Sequence, residues 1–334
     1  MTNADGAYLG GGVGRADTLG EVGESATLAR LFPRLPAAAS ALLGPGDDAA
    51  VVAAPDGRFV VTTDMMVHGP DFRLAWSTPQ DLGWKAAASN LADVAAMGAV
   101  PSALVVAIAA PADSPVALLE GIADGFRDAC AELAPGCGIV GGDLSVSPTL
   151  TIAVTAFGDL QGRDAVLRSG AKVGDVVAVS GPLGESARAL QLLFQYAVDS
   201  LGEPSAALAY GLRDQTAAQL APRPPIADGV AAALAGATAM LDLSDGLALD
   251  AARLARASGV GIDFKSVLLG ASPELALDGG EDHSLLATFP ASAAFPGGFR
   301  PVGVVVEGAG IAVDGEPYVP GGWDPYTGWD GGRG

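Results

Sequence analysis

The sequence is poor in cysteine, histidine and positive charge, and it has no long apolar run. Its 334 residues contain two Cys and two His. Two thiols, Cys130 and Cys137, cannot build a disulfide framework or a four-ligand zinc site. They fit a reducing compartment, so a cytoplasmic location is the expectation. His68 and His283 are too few for a His-based metal site, and no Ser–His–Asp set suggests itself; both read as structural. With 18 Lys and Arg against 38 Asp and Glu, the formal charge is −20, which argues against a nucleic-acid-binding surface. Gly, Pro or Asp interrupts every apolar run before the roughly 18–20 residues of a membrane span. The opening stretch lacks the basic region and apolar core of a secretory leader, and residues 1–17 read as a flexible tail. No G-x-x-x-x-G-K-[ST] loop occurs, and no G-x-G-x-x-G follows a predicted strand, so the common nucleotide-binding fingerprints are missing.

What is present is an alternation of β-branched runs, glycine-rich or acidic turns, and helical stretches. "RFVVTTDMMV" (58–67) predicts a strand ending at Asp64. "PQDLGWKAAASNLADVAAMGA" (79–99) has helical periodicity, with Gly98 as the C-cap. Segments 102–111 and 150–160 read as strands and 114–133 as an amphipathic helix. "CGIVGGDLS" (137–145) reads as a strand entering a glycine turn. A more polar stretch at 161–170 opens a second unit. There, 174–193 reads strand, glycine loop, helix; 239–259 reads strand, acidic loop, helix; and 299–308 is a further strand. The expectation is an α/β protein with mixed sheets. Its parts are a tail over 1–17, an N-terminal domain over 18–161 and a C-terminal domain over 162–334.

Acidic residues recur where the predicted strands end. Asp47 and Asp48 follow a Gly-Pro-Gly turn, Asp64 follows Thr62 and Thr63, Asp143 sits in "GGD", and Asp242 and Asp245 flank Ser244 in "DLSDG". Open α/β sheets commonly bind ligands at such positions. On the helix over 79–99, Lys85, Ser89 and Asp93 recur every four residues and share a face. Taken singly, each of these is an ordinary turn or a solvated face, and "SGPLGES" (180–186) reads as a tight strand–helix turn rather than an anion cradle. Taken together, hard oxygen donors without His or Cys select Mg²⁺ or Ca²⁺, and Mg²⁺ shared between carboxylates and phosphate is usual in nucleotide enzymes.

Seven motifs in order carry a resemblance: "GPGDDAAVV", "VVTTDMMVHGPDF", "KAAASNLADVAAMGAVPSAL", "VGGD", "RSGAKVGD", "LDLSDGLALD" and "GGEDHSLLATF". They resemble the thiamine-monophosphate kinase family, within the superfamily of aminoimidazole ribonucleotide synthetase. The resemblance runs from about residue 20 to "GGWDPY" near the C-terminus. It implies an ATP- and Mg²⁺-dependent kinase acting on thiamine monophosphate, with an N-terminal sheet that pairs with its twin in a homodimer. It further implies that Asp48, Thr62, Thr63, Asp64, Asp93, Asp143, Asp242 and Asp245 hold several Mg²⁺ ions. Gly142, Asp143, Arg168 and Ser244 would contact ATP, with Arg168 and Asp245 serving catalysis. Asp71, Glu281 and Trp323 fall at the thiamine end, and Trp323 has packing onto the core as its other reading. Two departures stand out. Asp71 replaces the family's usual His, and no aromatic precedes "GGD". Two alternatives stay open: a divergent relative acting on another phosphate-bearing acceptor, and a non-catalytic nucleotide or thiamine-phosphate binding protein.

Overall fold

The structure is a computed structural model that describes residues 17–45 and 49–322. Asp47, Asp48 and Trp323 lie outside the described residues, as does nearly all of the expected tail. After α1 (Leu19–Val22), α2 (Glu24–Leu31) and the short pair β1 (Ala41–Leu43) and β2 (Val51–Val52), the chain builds a four-stranded sheet. Its strands are β3 (Val60–Val67), β4 (Val100–Ala110), β5 (Ile139–Val146) and β6 (Thr151–Asp159), in the order β3-β6-β4-β5. β4 and β5 are parallel and the other pairs antiparallel.

Strand alternation fixes the two faces of this sheet. Ile152, Val154 and Ala156 are buried on the face covered by α3 (Pro79–Ala96) and α4 (Val116–Leu133). The opposite face carries Val61, Met65, Val105, Ala153 and Phe157, with Val61 and Met65 60% and 61% exposed. The two helices meet at backbone distance. A Cβ on Gly83 would run into the Ile122 carbonyl, and one on Gly125 into the Gln80 carbonyl, so glycine is what permits the approach.

α3 starts at a capping box, Thr78 with Asp81, and Pro79 opens its first turn. Gly98 follows its end at φ +71°, as a left-handed C-terminal glycine should. The alanines and Leu91 are buried as anticipated, but so are Lys85, Ser89 and Asn90 on the polar side. Asn90 faces β3, where it accepts from the Asp64 N–H, and a second sheet also packs against the helix. β7 (Val176–Ser180), β8 (Ala239–Leu243), β9 (Gly261–Phe264), β10 (Ser284–Phe289), β11 (Arg300–Val306), β12 (Gly310–Val313) and β13 (Glu316–Tyr318) run in the order β13-β12-β9-β11-β7-β10-β8. Its edge strand β8 packs against α3. Around it lie α5 (Glu185–Tyr196), α6 (Ala206–Gly211), α7 (Arg213–Leu220), α8 (Ile226–Leu234), α9 (Leu247–Ser258) and α10 (Pro273–Asp278). One hydrophobic cluster joins α3 and α4 to Met240, Leu285 and Phe289 of this second sheet.

Three local expectations need correction. Asp64 lies inside β3, which continues to Val67. Asp143 lies inside β5 rather than in a turn. There Gly142 permits a close strand approach, since a Cβ on it would meet the Val106 carbonyl, whereas one on Gly141 would meet nothing. Asp242 is likewise within β8, one residue before its end.

Candidate active site

Carboxylates converge where β3 and α3 face the end of β8. On β3, Thr62 and Asp64 point to the α3 side of the sheet. Thr62 Oγ1 donates to Asp93 Oδ2 at 2.8 Å, and the Asp64 backbone N–H donates to Asn90 Oδ1 at 3.1 Å. From the other side come Asp242, 6% exposed, and Asp245 in the loop after β8. Burial and mutual repulsion both disfavour the charged forms here. Burial first, then the charges of Asp242 and Asp64, push Asp93 up to about 7. Burial, Asp242, Asp245 and Asp71 likewise raise Asp64, against a lowering by His283.

The loop bearing Ser244 and Asp245 is held from below. Asp250, buried in the first turn of α9, accepts from the Ser244 and Asp245 N–H groups at 3.1 and 3.0 Å. Burial raises its carboxyl to about 6. Arg253 reaches Asp245 and Asp250 at 2.6 Å each. His283, expected to be structural, is buried with Nδ1 3.5 Å from Asp242 Oδ2. The loop before β10 is tied to this strand end through Glu281 N–H to Ser244 O (2.7 Å) and His283 N–H to Leu243 O (2.9 Å). Glu281 and His283 take φ of +64° and +51°, left-handed strain of the kind that clusters at functional sites. The "SGPLGES" stretch is the expected tight turn between β7 and α5, and it binds a carboxyl group of this chain. Asp282 accepts from the Gly184 and Ser186 N–H groups at 2.5 and 2.8 Å.

Beside the carboxylates opens a cavity of about 350 Å³. Its walls are Phe72, Trp76, Leu190 and Phe194, and Arg73 lies 4.9 Å from the ring centres of both Trp76 and Phe194. Asp71, Lys85, Gln219 and Glu281 supply its polar groups. Asp71 Oδ2 accepts from the Val67 N–H at 2.6 Å, and burial raises its carboxyl above the usual range. Lys85 pairs with Glu281 at 2.8 Å.

Thr62, Asp64, Asp93, Asp242, Ser244 and Asp245 therefore meet in one cleft, with Asp71 and Glu281 beside it. Four expected residues do not join them. Thr63 points to the opposite sheet face, where its hydroxyl donates to the Val154 carbonyl at 2.9 Å. Gly142 and Asp143 lie on edge strand β5, three strands from β3, or about 14 Å at the usual strand spacing. Arg168 is exposed, and its carbonyl accepts from Ser258 at the far end of α9, which is about 18 Å long at 1.5 Å per residue. Long-range folding, which a linear motif does not display, decides these separations. Gln219, Asp250, Arg253 and His283 join the site without having been expected. His283 adjoins the "GGED" motif, whereas nothing local marks Gln219.

Chemically, the cleft offers oxygen donors with no competing thiolate. Among the described residues no group of three or more His, Cys, Asp or Glu side chains is gathered closely enough to hold a metal ion.

A mixed four-stranded sheet joined through a buried helix to a larger sheet, with a carboxylate cleft at their junction, defines the class. Residues 46–160 match the family model "AIR synthase related protein, N-terminal domain". Within that class, the curated thiamine-monophosphate kinase of Mycobacterium tuberculosis (strain H37Rv) is 44% identical over 328 residues, covering 93% of this chain and 92% of that protein. The crystal structure of thiamine-monophosphate kinase from Stenotrophomonas maltophilia K279a superposes with a TM-score of 0.71 at 31% identity, covering 88% of this chain and 96% of that one. A structure of AaThiL complexed with AMPPCP and TMP gives 0.70 at 31% identity, covering 91% and 97%. The chain belongs to the thiamine-monophosphate kinase family.

Proposed function

We propose that this protein transfers the γ-phosphoryl group of ATP to thiamine monophosphate, giving thiamine diphosphate and ADP. The observation that carries this reading is the junction of a carboxylate cleft with an aromatic cavity of about 350 Å³. One accommodates phosphates and cations, the other a heterocycle. The relative AaThiL, complexed with AMPPCP and TMP, supports the same pairing of ligands.

The acceptor is already a phosphate, with a second pKa of about 6 by analogy with phosphoserine, so no general base is required. Mg²⁺ held by Asp64, Asp93, Asp242 and Asp245 would neutralise the phosphates and favour in-line transfer. In this chain Asn90 and Thr62 orient Asp64 and Asp93, Asp250 fixes the Ser244–Asp245 loop, and Arg253 pairs with Asp245. Trp76 and Phe194 give the cavity aromatic surface suited to a cationic heterocycle.

We read 18–161 and 162–334 as two domains and the working unit as a homodimer. The open apolar face of the four-stranded sheet supports this, because a second sheet would cover it. So does the separation of Gly142, Asp143 and Arg168 from the cleft, which a partner copy could bridge. No helix among the described residues is long and apolar enough to cross a membrane; the cytoplasm remains our reading of the thiol content. The direct test is to incubate purified protein with ATP, Mg²⁺ and thiamine monophosphate and separate the products. Formation of thiamine diphosphate supports the proposal. Ligand binding without turnover favours the non-catalytic alternative, and turnover only with another phosphate-bearing acceptor favours a divergent kinase.

A further inference from the structure

Lys85 is the only Lys or Arg among the described residues that is buried, at 5% exposure. A buried ammonium is costly unless paired, and Lys85 Nζ lies 2.8 Å from Glu281 Oε1. The other oxygen, Glu281 Oε2, accepts from Gln219 Nε2, and Gln219 Oε1 in turn accepts from Ser186 Oγ. Gln219 and Ser186 are also buried. α3, α7 and α5 thus each contribute one member to a chain that ends on a single carboxylate. Burial would push the Glu281 carboxyl up, but the charge and hydrogen bond of Lys85 and the hydrogen bond of Gln219 outweigh it. Glu281 therefore lies below its usual value and is held ionised.

The backbone carrying Glu281 is fixed as well, by its N–H bond to Ser244 O and its left-handed conformation. Its side chain is still 31% exposed, and it lines the cavity. An ionised carboxylate is acceptor-only with about four lone-pair sites. Lys85 and Gln219 occupy two, which leaves capacity for an N–H donor from the cavity side. Lys85 also stands eight residues from Asp93 on one helix face, about 12 Å along the axis. One rigid helix thereby sets the distance from the heterocycle end of the site to the phosphate end.

We propose that Lys85 and Gln219 are positioning residues. They hold Glu281 aimed into the cavity so that it selects acceptors whose heterocycle carries an exocyclic amino group. This rests on the reading of the cavity as the acceptor site. A merely structural ion pair between the two sheets would hold the fold together without distinguishing acceptors.

The test compares thiamine monophosphate with its analogue lacking the exocyclic amino group, using the full chain with ATP and Mg²⁺. For Lys85→Met the KM for thiamine monophosphate rises about tenfold or more, the loss of one charge-assisted hydrogen bond. The KM for the analogue and the KM for ATP stay near wild type, so the preference for the amino group collapses. Lys85→Arg restores most of it. Should Lys85→Met fail to fold, Gln219→Met, which leaves the ion pair in place, is expected to reduce the same preference by a smaller factor. Equal rises for both acceptors, a fall confined to kcat, or unchanged constants in an active enzyme overturn the proposal. A wild-type protein that does not phosphorylate thiamine monophosphate at all overturns the function as well.

Discussion

Asp93→Asn separates the cost of assembling the cleft from its use. In the metal-free protein Asp93 keeps its proton up to about 7, against an ordinary value of 3.8. Between these values the folded state binds more protons than the unfolded state, so stability falls as pH rises from about 4 to about 7 and stays lost above that. At about 1.4 kcal/mol per pH unit the gap caps the loss at about 4 kcal/mol. Asn cannot ionise, and its amide oxygen can still accept from Thr62, which bonds Asp93 at 2.8 Å. Neighbouring carboxylates relax and share the repulsion, so about 1–2 kcal/mol should be recovered at pH 8, or roughly 2–8 °C in Tm for a chain of this size. Thermal unfolding in chelator should place Asp93→Asn above wild type at pH 8, with the gap narrowing as pH falls and closing at about pH 4. Adding Mg²⁺ should reverse the order, because wild type gains more from the cation than the variant does. A variant less stable than wild type at pH 8 without metal would show that the carboxylates do not repel one another as described.

Other substitutions probe separate parts of the structure. Asp245→Asn should lower turnover by at least about 10²-fold with an unchanged circular dichroism spectrum, since Arg253 retains Asp250 at 2.6 Å; near wild-type activity would remove Asp245 from the machinery. Gly125→Ala drives a methyl into the Gln80 backbone and should cost about 3 kcal/mol or more, seen as a lower Tm; an unchanged Tm would contradict the tight α3–α4 packing. If a partner copy completes the site, Asp143→Asn and Asp245→Asn proteins, each inactive alone, should recover about a quarter of wild-type activity when co-expressed as a random mixture of dimers. No recovery would place both residues in one chain's site.

Much of the fold was legible because the signals are local. The helical periodicity of α3, the strand over β6 and Gly98 as the C-terminal glycine of α3 all follow from short-range chemistry. Strand ends were less legible. Asp64 and Asp143 looked terminal because a carboxylate or a glycine pair usually breaks a strand, yet both sit on edge strands, where one side of the backbone is free of a partner strand. The cleft was legible as a set of acidic residue types, of which Asp64, Asp93, Asp242 and Asp245 lie within electrostatic reach of one another. Which face each presents depends on strand parity and sheet order, and so Thr63 and Asp143 separate from their neighbours. The cavity wall was not legible. Phe194 comes from a segment distant from Arg73 and Trp76, and Gln219 becomes meaningful only when α7 brings it to Glu281.

The most direct measurement follows the label from γ-³²P-ATP in the presence of Mg²⁺ and thiamine monophosphate. Transfer between phosphates in the carboxylate cleft predicts label in thiamine diphosphate, with one ADP formed for each product molecule. Label recovered only as inorganic phosphate, with thiamine monophosphate unconsumed, would contradict it.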